Sequence, residues 1–503
     1  MYGLCVVEND VSLFSYENLY RHYLACRKTK RNTYNALRFE VSQERELLDL
    51  QASLIDRTYQ PKPSVCFITK RPKLREIFAA DFRDRVVHHV VVDYLESIWE
   101  PVFIYDSYAC RRGKGVHGGV KRLQKYIRQV TYNGQRRAWY LQLDIRNYFM
   151  RIDKSILWEK LAPKIKDKEM LWLTKLLVFH DCTVDFIFRG DVRELKKVPV
   201  HKSLLTAPAS KGLPIGNLNS QFFANVYLNA LDQFVKHQLK CQYYLRYCDD
   251  FVLLADNPEQ LKQWKMQIEV FLEKELLLQL NPTRERLRPV SDGIDFLGYI
   301  VRRDYLLVRR RVINHLSLKL KIFEEDLVKV DEGVNYFHFD EEYLNKLHAT
   351  LSSYLGHFKL ANTFKLWKKI WNKFRFLRQY FDYDESNNQL LRKYLVPRQL
   401  KTVRQQYYYF RWLFPNDVLF FQVGRYCEFY SGLNERLIAE MEIAPIKCSK
   451  RGVRYGFPIW QQKEKMVGLI KSGFSVLIIA QTQSYYSKVQ VRLPQLRAVK
   501  EAS

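Results

Sequence analysis

Tyr247-Cys248-Asp249-Asp250 sets two adjacent carboxylates between apolar runs, Tyr243-Tyr244-Leu245 before and Phe251-Val252-Leu253-Leu254-Ala255 after. At strand period this is a hairpin with both acids at its tip. Paired acids beside buried β-forming residues are costly unless a cation neutralises them. Hard divalent ions such as Mg²⁺ take carboxylate oxygens, and two-metal phosphoryl transfer needs such a cluster. For the dipeptide alone, an Asp-Asp turn without chemistry is the plainer reading. A second acid shifts the balance. Asp144 ends the apolar run Ala138-Trp139-Tyr140-Leu141-Gln142-Leu143 and precedes Ile145-Arg146-Asn147-Tyr148-Phe149, residues able to open a helix. It lies 105 positions before Asp249, far enough for two distant strands to meet in one sheet. Asp144 and Asp249 would then bridge two ions roughly 3.5–4 Å apart. One ion would activate a primer 3′-hydroxyl, and the other would hold a triphosphate and its leaving group. Phe149 would face the incoming sugar and leave no room for a 2′-hydroxyl; the alternative is an ordinary core phenylalanine.

The elements that must position these groups are legible in coarse outline. Residues 18–54 are rich in helix formers. The stretch 84–100 carries Val86, Val87, Val90 and Val91 at helical spacing, a buried stripe. Residues 257–277 read as an amphipathic helix with Leu261, Trp264, Ile268, Phe271 and Leu272 on one face. From 310 to 395 the pattern is helical and basic, including Phe364-Lys365-Leu366-Trp367-Lys368-Lys369-Ile370-Trp371. Polar Asp382-Tyr383-Asp384-Glu385-Ser386-Asn387-Asn388 and Pro397 then mark a boundary near 383–405. Beyond it, the run from Val418 to Tyr430 reads as a strand, a glycine turn and the start of a helix. Met466 to Ile470 suits a helix and Ser475 to Gln481 a strand, which makes a separate α/β domain of about a hundred residues.

Composition points to polyanionic partners. Lys plus Arg number 82 against 54 Asp plus Glu, a net charge of +28. That excess is a phosphate-binding footprint, although an anionic membrane surface would also attract it. Aromatic residues make up 15% and interleave with the basic ones, which suits stacking on bases; most still belong to cores. Nine cysteines show no Cys-x-x-Cys and no pairing rhythm, against structural zinc and a secreted disulfide framework. No run has transmembrane length and charges interrupt the first ten residues, so a reduced, cytoplasmic protein without a membrane partner is expected.

The ordered motifs resemble those of reverse transcriptases over roughly residues 60–380. The resemblance implies an α+β right-hand polymerase with fingers, palm and helical thumb, here followed by a small C-terminal α/β domain. Its divisions would be 1–58, an N-terminal extension; 59–300, fingers and palm; 301–400, thumb; and 405–503, the added domain. Asp144 and Asp249 match the metal ligands of the palm, with Asp250 as supporting neighbour. Two Mg²⁺ ions, with Mn²⁺ as substitute, are the implied cofactors. Arg71-Pro72-Lys73-Leu74-Arg75 and Ser107-Tyr108-Ala109-Cys110-Arg111-Arg112-Gly113 resemble fingers segments, which gives Lys73, Arg75 and Arg111 to the triphosphate. Gly212-Leu213-Pro214-Ile215-Gly216-Asn217-Leu218-Asn219-Ser220-Gln221 resembles the loop that positions template and nascent pair, so Gly216 and Gln221 join the dNTP site along with Phe149. Leu280-Asn281-Pro282-Thr283-Arg284 resembles a segment that usually carries a lysine proposed to protonate pyrophosphate. Arginine there is a poor proton donor. Phe296-Leu297-Gly298-Tyr299 resembles the primer grip.

Two finer resemblances follow. Most bacterial relatives carry Gln-Gly-x-x-x-Ser-Pro where this chain has Ile215-Gly216-Asn217-Leu218-Asn219-Ser220-Gln221, a form similar to enzymes of diversity-generating retroelements. Ser352-Ser353-Tyr354-Leu355-Gly356-His357 is similar to thumbs of that group. The implied activity is error-prone copying of a dedicated template RNA from dNTPs into cDNA. A second copy of the chain or an accessory protein would be a further partner. Residues 410–490 resemble the N-terminal mismatch-recognition domain of the repair protein MutS, on Phe421 to Phe429, Ser449-Lys450-Arg451-Gly452 and Gly473 to Gln481. There a phenylalanine and a glutamate two positions later wedge against a mispaired base; Tyr426 and Glu428 occupy those positions. The alternative has Tyr426 packed inside its domain and Glu428 capping a helix. Two other functions stay open: a defence-associated reverse transcriptase copying a non-coding RNA against phage, and a non-catalytic nucleic-acid-binding protein on a polymerase fold.

Overall fold

The computed structural model describes residues 12–28, 33–70, 73–449 and 452–500. Arg71, Pro72, Lys450 and Arg451, named above, lie outside the described residues, as do the first eleven. The chain divides into two compact units, one formed by residues 1–297 with 301–304 and the other by 298–300 with 305–503.

The first unit opens with helices Tyr16–Arg27, Tyr34–Val41 and Gln43–Ile55, as the helix-rich composition of this stretch leads one to expect. Strands Ser64–Thr69 and Arg75–Ala79 form an antiparallel pair, and Phe186–Phe188 lies parallel to the former. The central sheet has four antiparallel strands in the order Tyr243–Tyr247, Asp250–Ala255, Trp139–Asp144 and Arg286–Pro289. Alternation along these strands decides what each face does. Leu141, Leu143 and Ile145, with Phe251 and Leu253, enter a large apolar core that also takes in helices Phe82–Trp99, Leu218–Gln233 and Pro258–Leu276. Gln142 and Asp144 point to the opposite face, where Asp144 stands directly across from Asp250. The valine stripe is buried as its spacing predicts: Val86, Val87, Val90 and Val91 are all core residues.

The second unit departs from the expected division. Helices Arg310–Leu327, Glu341–Phe358 and Phe364–Lys373 occupy the basic helical stretch. Between them, however, strands Val328–Asp331 and Val334–His338 form a hairpin. That hairpin joins an eight-stranded sheet through Val334–His338, which pairs with Val489–Lys500. Residues 405–503 therefore do not stand apart from 301–400: one sheet and one apolar cluster, in which Val334 meets Phe420, Phe457 and Val476, serve both. The polar 382–388 stretch is the end of strand Phe381–Asp384 and its turn into Gln389–Arg392, a hairpin within the unit. A second correction concerns the run after Gly424. It is strand Tyr426–Phe429, not a helix, paired antiparallel with Asp417–Val423. Gly424 makes the reversal at φ 61°, a conformation glycine adopts without strain. Helix Gln462–Lys471 and strand Ser475–Tyr486 follow as the sequence pattern suggests.

Candidate active site

The Tyr-Cys-Asp-Asp hairpin is held by a buried scaffold. Strands Tyr243–Tyr247 and Asp250–Ala255 are joined by Cys248 and Asp249, with Cys248 at φ 54°. A non-glycine residue in that region is uncommon and needs support. Arg246 supplies it by donating to the Cys248 carbonyl at 3.0 Å. Its guanidinium is fully buried against Asp232, with Nη2–Oδ2 at 2.5 Å, and also reaches Ser107 Oγ. Tyr244 donates its hydroxyl to the same Asp232 at 2.7 Å. Nothing in the motif itself announces this support. Arg246 and Tyr244 flank it in sequence, but Asp232 comes from the preceding helix.

The carboxylates converge at the end of the sheet. The Ile145 amide donates to the Asp249 carbonyl at 3.2 Å, which ties the two strand ends together. Burial, and next the charge of Asp144, push the Asp249 carboxyl above the usual carboxylate range, with Arg75 and Arg284 opposing the rise. Asp144 receives Arg284 Nη1 on one oxygen at 3.2 Å and Asn281 Nδ2 on the other at 3.0 Å. Asp250 is gripped by Gln142 Nε2, at 3.0 and 3.3 Å from its two oxygens. Gln142 sits two residues before Asp144 on the same strand face, and that spacing was the signal available for finding it.

Lys73 and Arg75 are exposed at the tip of the hairpin Ser64–Thr69/Arg75–Ala79, Lys73 in its turn and Arg75 at the start of its second strand. Burial, then Arg284 and Arg75, lower the Lys73 pKa, while Asp144 and Asp249 oppose this. Lys73, Arg75 and Arg284 thus share one electrostatic environment with the two aspartates. Three cations around two carboxylates form a polar site suited to a polyphosphate. Among the described residues no group of three or more His, Cys, Asp or Glu side chains forms a ready cation cage. Two carboxylates still fit Mg²⁺, which keeps several waters and takes substrate phosphates for the rest of its shell. The like-charge stress on Asp249 is what such an ion would relieve.

Phe149 lies half-buried on the short helix Tyr148–Arg151 and packs beside Met150, Phe78 and Leu204. Its carbonyl accepts from the Leu213 amide at 2.8 Å, which brings the 212–221 loop alongside. Ile215 joins the same apolar cluster, and its carbonyl accepts from Phe78 at 3.0 Å. Gly216 has φ 123°, and a Cβ there would come within 2.8 Å of Ile77, so only glycine suits this crossing. Gln221 is exposed and accepts from the Cys110 thiol at 3.2 Å.

Three expectations are corrected. Arg111 does not face the triphosphate region: its side chain is 6% exposed, paired with Glu100 at 2.6 Å and donating to the Ile104 and Ser107 carbonyls. With its donors used inside the fold, it is a structural arginine. Phe296 and Tyr299 are fully buried, so their side chains form core instead of touching a primer. Tyr299 donates its hydroxyl to the His357 carbonyl at 2.7 Å. Leu297 and Gly298, at φ 50° and 94°, make the turn between them and are half-buried. The wedge pair is also divided. Tyr426 is 44% exposed, whereas Glu428 is held by Arg454 at 3.1 Å and by the Tyr430 hydroxyl at 2.6 Å. Glu428 neither reaches outward as a wedge nor caps a helix.

Residues 60–301 match the family model described as reverse transcriptase (RNA-dependent DNA polymerase). Protein YkfC of Escherichia coli is 25% identical over 308 residues, covering 54% of this chain and 74% of that protein. Group II intron-encoded protein LtrA of Lactococcus lactis is 25% identical over 401 residues, covering 66% of this chain and 62% of that protein. The chain therefore spans about three-fifths of the intron-encoded relative's length.

Proposed function

We propose that this chain, an RNA-directed DNA polymerase through its reverse transcriptase domain at residues 60–301, copies a dedicated template RNA into DNA with frequent misincorporation. The observation that carries the polymerase reading is the convergence of Asp144 and Asp249 at one sheet end, with Asp249 stressed by its neighbour's charge. A pair of divalent ions, Mg²⁺ or Mn²⁺, held by Asp144 and Asp249 would activate the primer hydroxyl and neutralise the leaving pyrophosphate. Asp250 is a positioning residue, kept in register by Gln142. Lys73 and Arg75 bind the triphosphate from the fingers side. Phe149 orients the sugar and excludes a 2′-hydroxyl. Arg284 shields Asp144 before substrate arrives; a guanidinium is a poor proton donor, so it serves as an anchor.

The error-prone reading rests on Ile215. Where most bacterial relatives carry glutamine, this chain places an apolar side chain, and it packs into the cluster with Phe78 and Met150. No polar group is thereby offered to the nascent pair from this position, which weakens discrimination there. Tyr426, exposed on its strand, would be the stacking element of a mismatch-binding appendage, without help from Glu428.

The test is sequencing of cDNA from cells carrying the native flanking locus, with wild type and an Asp249→Asn/Asp250→Asn double variant side by side. Variant-sensitive cDNA substituted at template adenines is the expected result. Faithful or repetitive copies of one non-coding RNA would replace this reading with phage defence. Equal cDNA from both proteins would end the catalytic assignment.

A further inference from the structure

The second unit contains an open cleft of about 970 Å³, remote in sequence from the carboxylates of the first unit. Helix Glu341–Phe358 forms one wall and contributes Ser352 and Gly356. The hairpin Phe381–Asp384/Gln389–Arg392 and the segment 395–398 form another, while Tyr409 and Tyr486 close it. These walls are pinned. The Tyr486 hydroxyl donates to the Val396 carbonyl at 3.1 Å, Tyr394 donates to Asn345 Oδ1 at 3.0 Å, and Tyr383 to Asn388 Oδ1 at 2.7 Å.

Three cations line the cleft, Lys359, Arg392 and Arg398, against one carboxylate, Glu341. All three cations are exposed. The two tyrosine rings stand among them, and a third ring extends the series: Trp412 lies 6.4 Å from Tyr409 and is 74% exposed. Its ring face is open to a stacking partner beside Tyr409. Spaced aromatic faces interleaved with cations are the equipment of single-strand binding, where bases stack and phosphates are neutralised. A duplex hides its base faces and could not use these rings. The rim adds neutral hydrogen-bonding groups, Ser352, Asn387 and Gln389, which suit a 2′-hydroxyl.

We infer that this cleft, built from residues of the second unit alone, binds single-stranded RNA whether or not the carboxylates of the first unit catalyse. Gly356 offers a clean way to block it. A Cβ built there meets nothing within 4 Å, and glycine inside a helix is replaceable without loss of helical stability.

The experiment uses the full chain and fluorescent short uridine and thymidine oligomers. A pre-annealed primer–template duplex is present at saturation to occupy the polymerase track. Gly356→Trp should weaken uridine-oligomer binding by about tenfold or more, as expected for lost stacking. Its thermal midpoint should be unchanged. Arg392→Gln with Arg398→Gln should reduce the log–log salt slope by about 1.4, or 0.7 for each lost phosphate contact. Tyr409→Phe should bind as wild type and Tyr409→Ser should not. Photocrosslinking of a 4-thiouridine oligomer should label Tyr409 or Tyr486 peptides. Wild-type binding by the Gly356→Trp and double arginine variants would overturn the inference. So would thymidine-oligomer binding as tight as uridine and equally sensitive to these variants.

Discussion

Asp249 must carry its charge in a half-buried, desolvated position, and its surroundings show how that conflict is managed. Burial and Asp144 raise its pKa, so the folded protein holds this proton more tightly than the unfolded chain does. The resulting stability is present at low pH and is lost as pH climbs from the ordinary aspartate range through the raised value. In chelator, Asp249→Asn should therefore melt above wild type at neutral pH, by on the order of 2 °C. That gap should close in acid, and Mg²⁺ should raise the midpoint of wild type only. Melting curves with and without chelator check both points; a destabilised Asn variant would refute the like-charge account. The double variant Asp249→Asn/Asp250→Asn should lose at least about a thousandfold in cDNA synthesis while RNA binding persists. Phe149→Ala should raise ribonucleotide incorporation by about tenfold or more, as measured by alkali-sensitive product. Unchanged preference for deoxynucleotides would make Phe149 a core residue and nothing else.

The hairpin that presents Asp249 depends on groups outside its own motif. Arg246 and Asp232 are both fully buried, and together with Tyr244 and Ser107 they satisfy one another beneath the turn. Removing one partner strands the other's charge, which costs about 3–5 kcal/mol, whereas exchanging both for apolar groups costs far less. Asp232→Asn should accordingly be severely destabilised in denaturant titrations, and adding Arg246→Met should restore much of the loss. Full stability of the single variant would show that the pair is not the support it is taken to be. Gln142 acts along the strand. Gln142→Ala should leave the fold intact and lower the turnover number more than it changes nucleotide KM, because it orients Asp250 without touching substrate. These supports escaped sequence reading for one reason. A period-2 pattern tells which residues share a face, but not which distant helix brings the counter-charge.

The second unit shows the limit of reading boundaries from composition. A polar stretch and a proline near 383–405 look like a linker, yet Val334–His338 lies hydrogen-bonded to Val489–Lys500 across that supposed border. A chain ending near residue 404 would leave this hairpin with an unpaired edge and Val334 without its core partners. Such a truncation should aggregate on expression or unfold at lower denaturant; a soluble monomer with wild-type stability would restore the two-domain division. By itself the sequence determined where the candidate residues fall: Asp144 and Asp250 at strand ends, Asp249 in the turn between strands, Phe149 beyond, glycine where the 212–221 loop crosses Phe78, and a strongly basic charge. Those features are local, set by residue type and by strand or helix period. Only the tertiary structure decided that Arg111 belongs to Glu100, that Phe296 and Tyr299 are core, that Glu428 is spent on Arg454, and that strand Val489–Lys500 joins the sheet that Val328–Asp331 and Val334–His338 begin. Each is a pairing between segments far apart in the chain. Charge satisfaction and strand pairing between such segments depend on which of many available partners the fold brings within about 3 Å, and no local pattern encodes that choice.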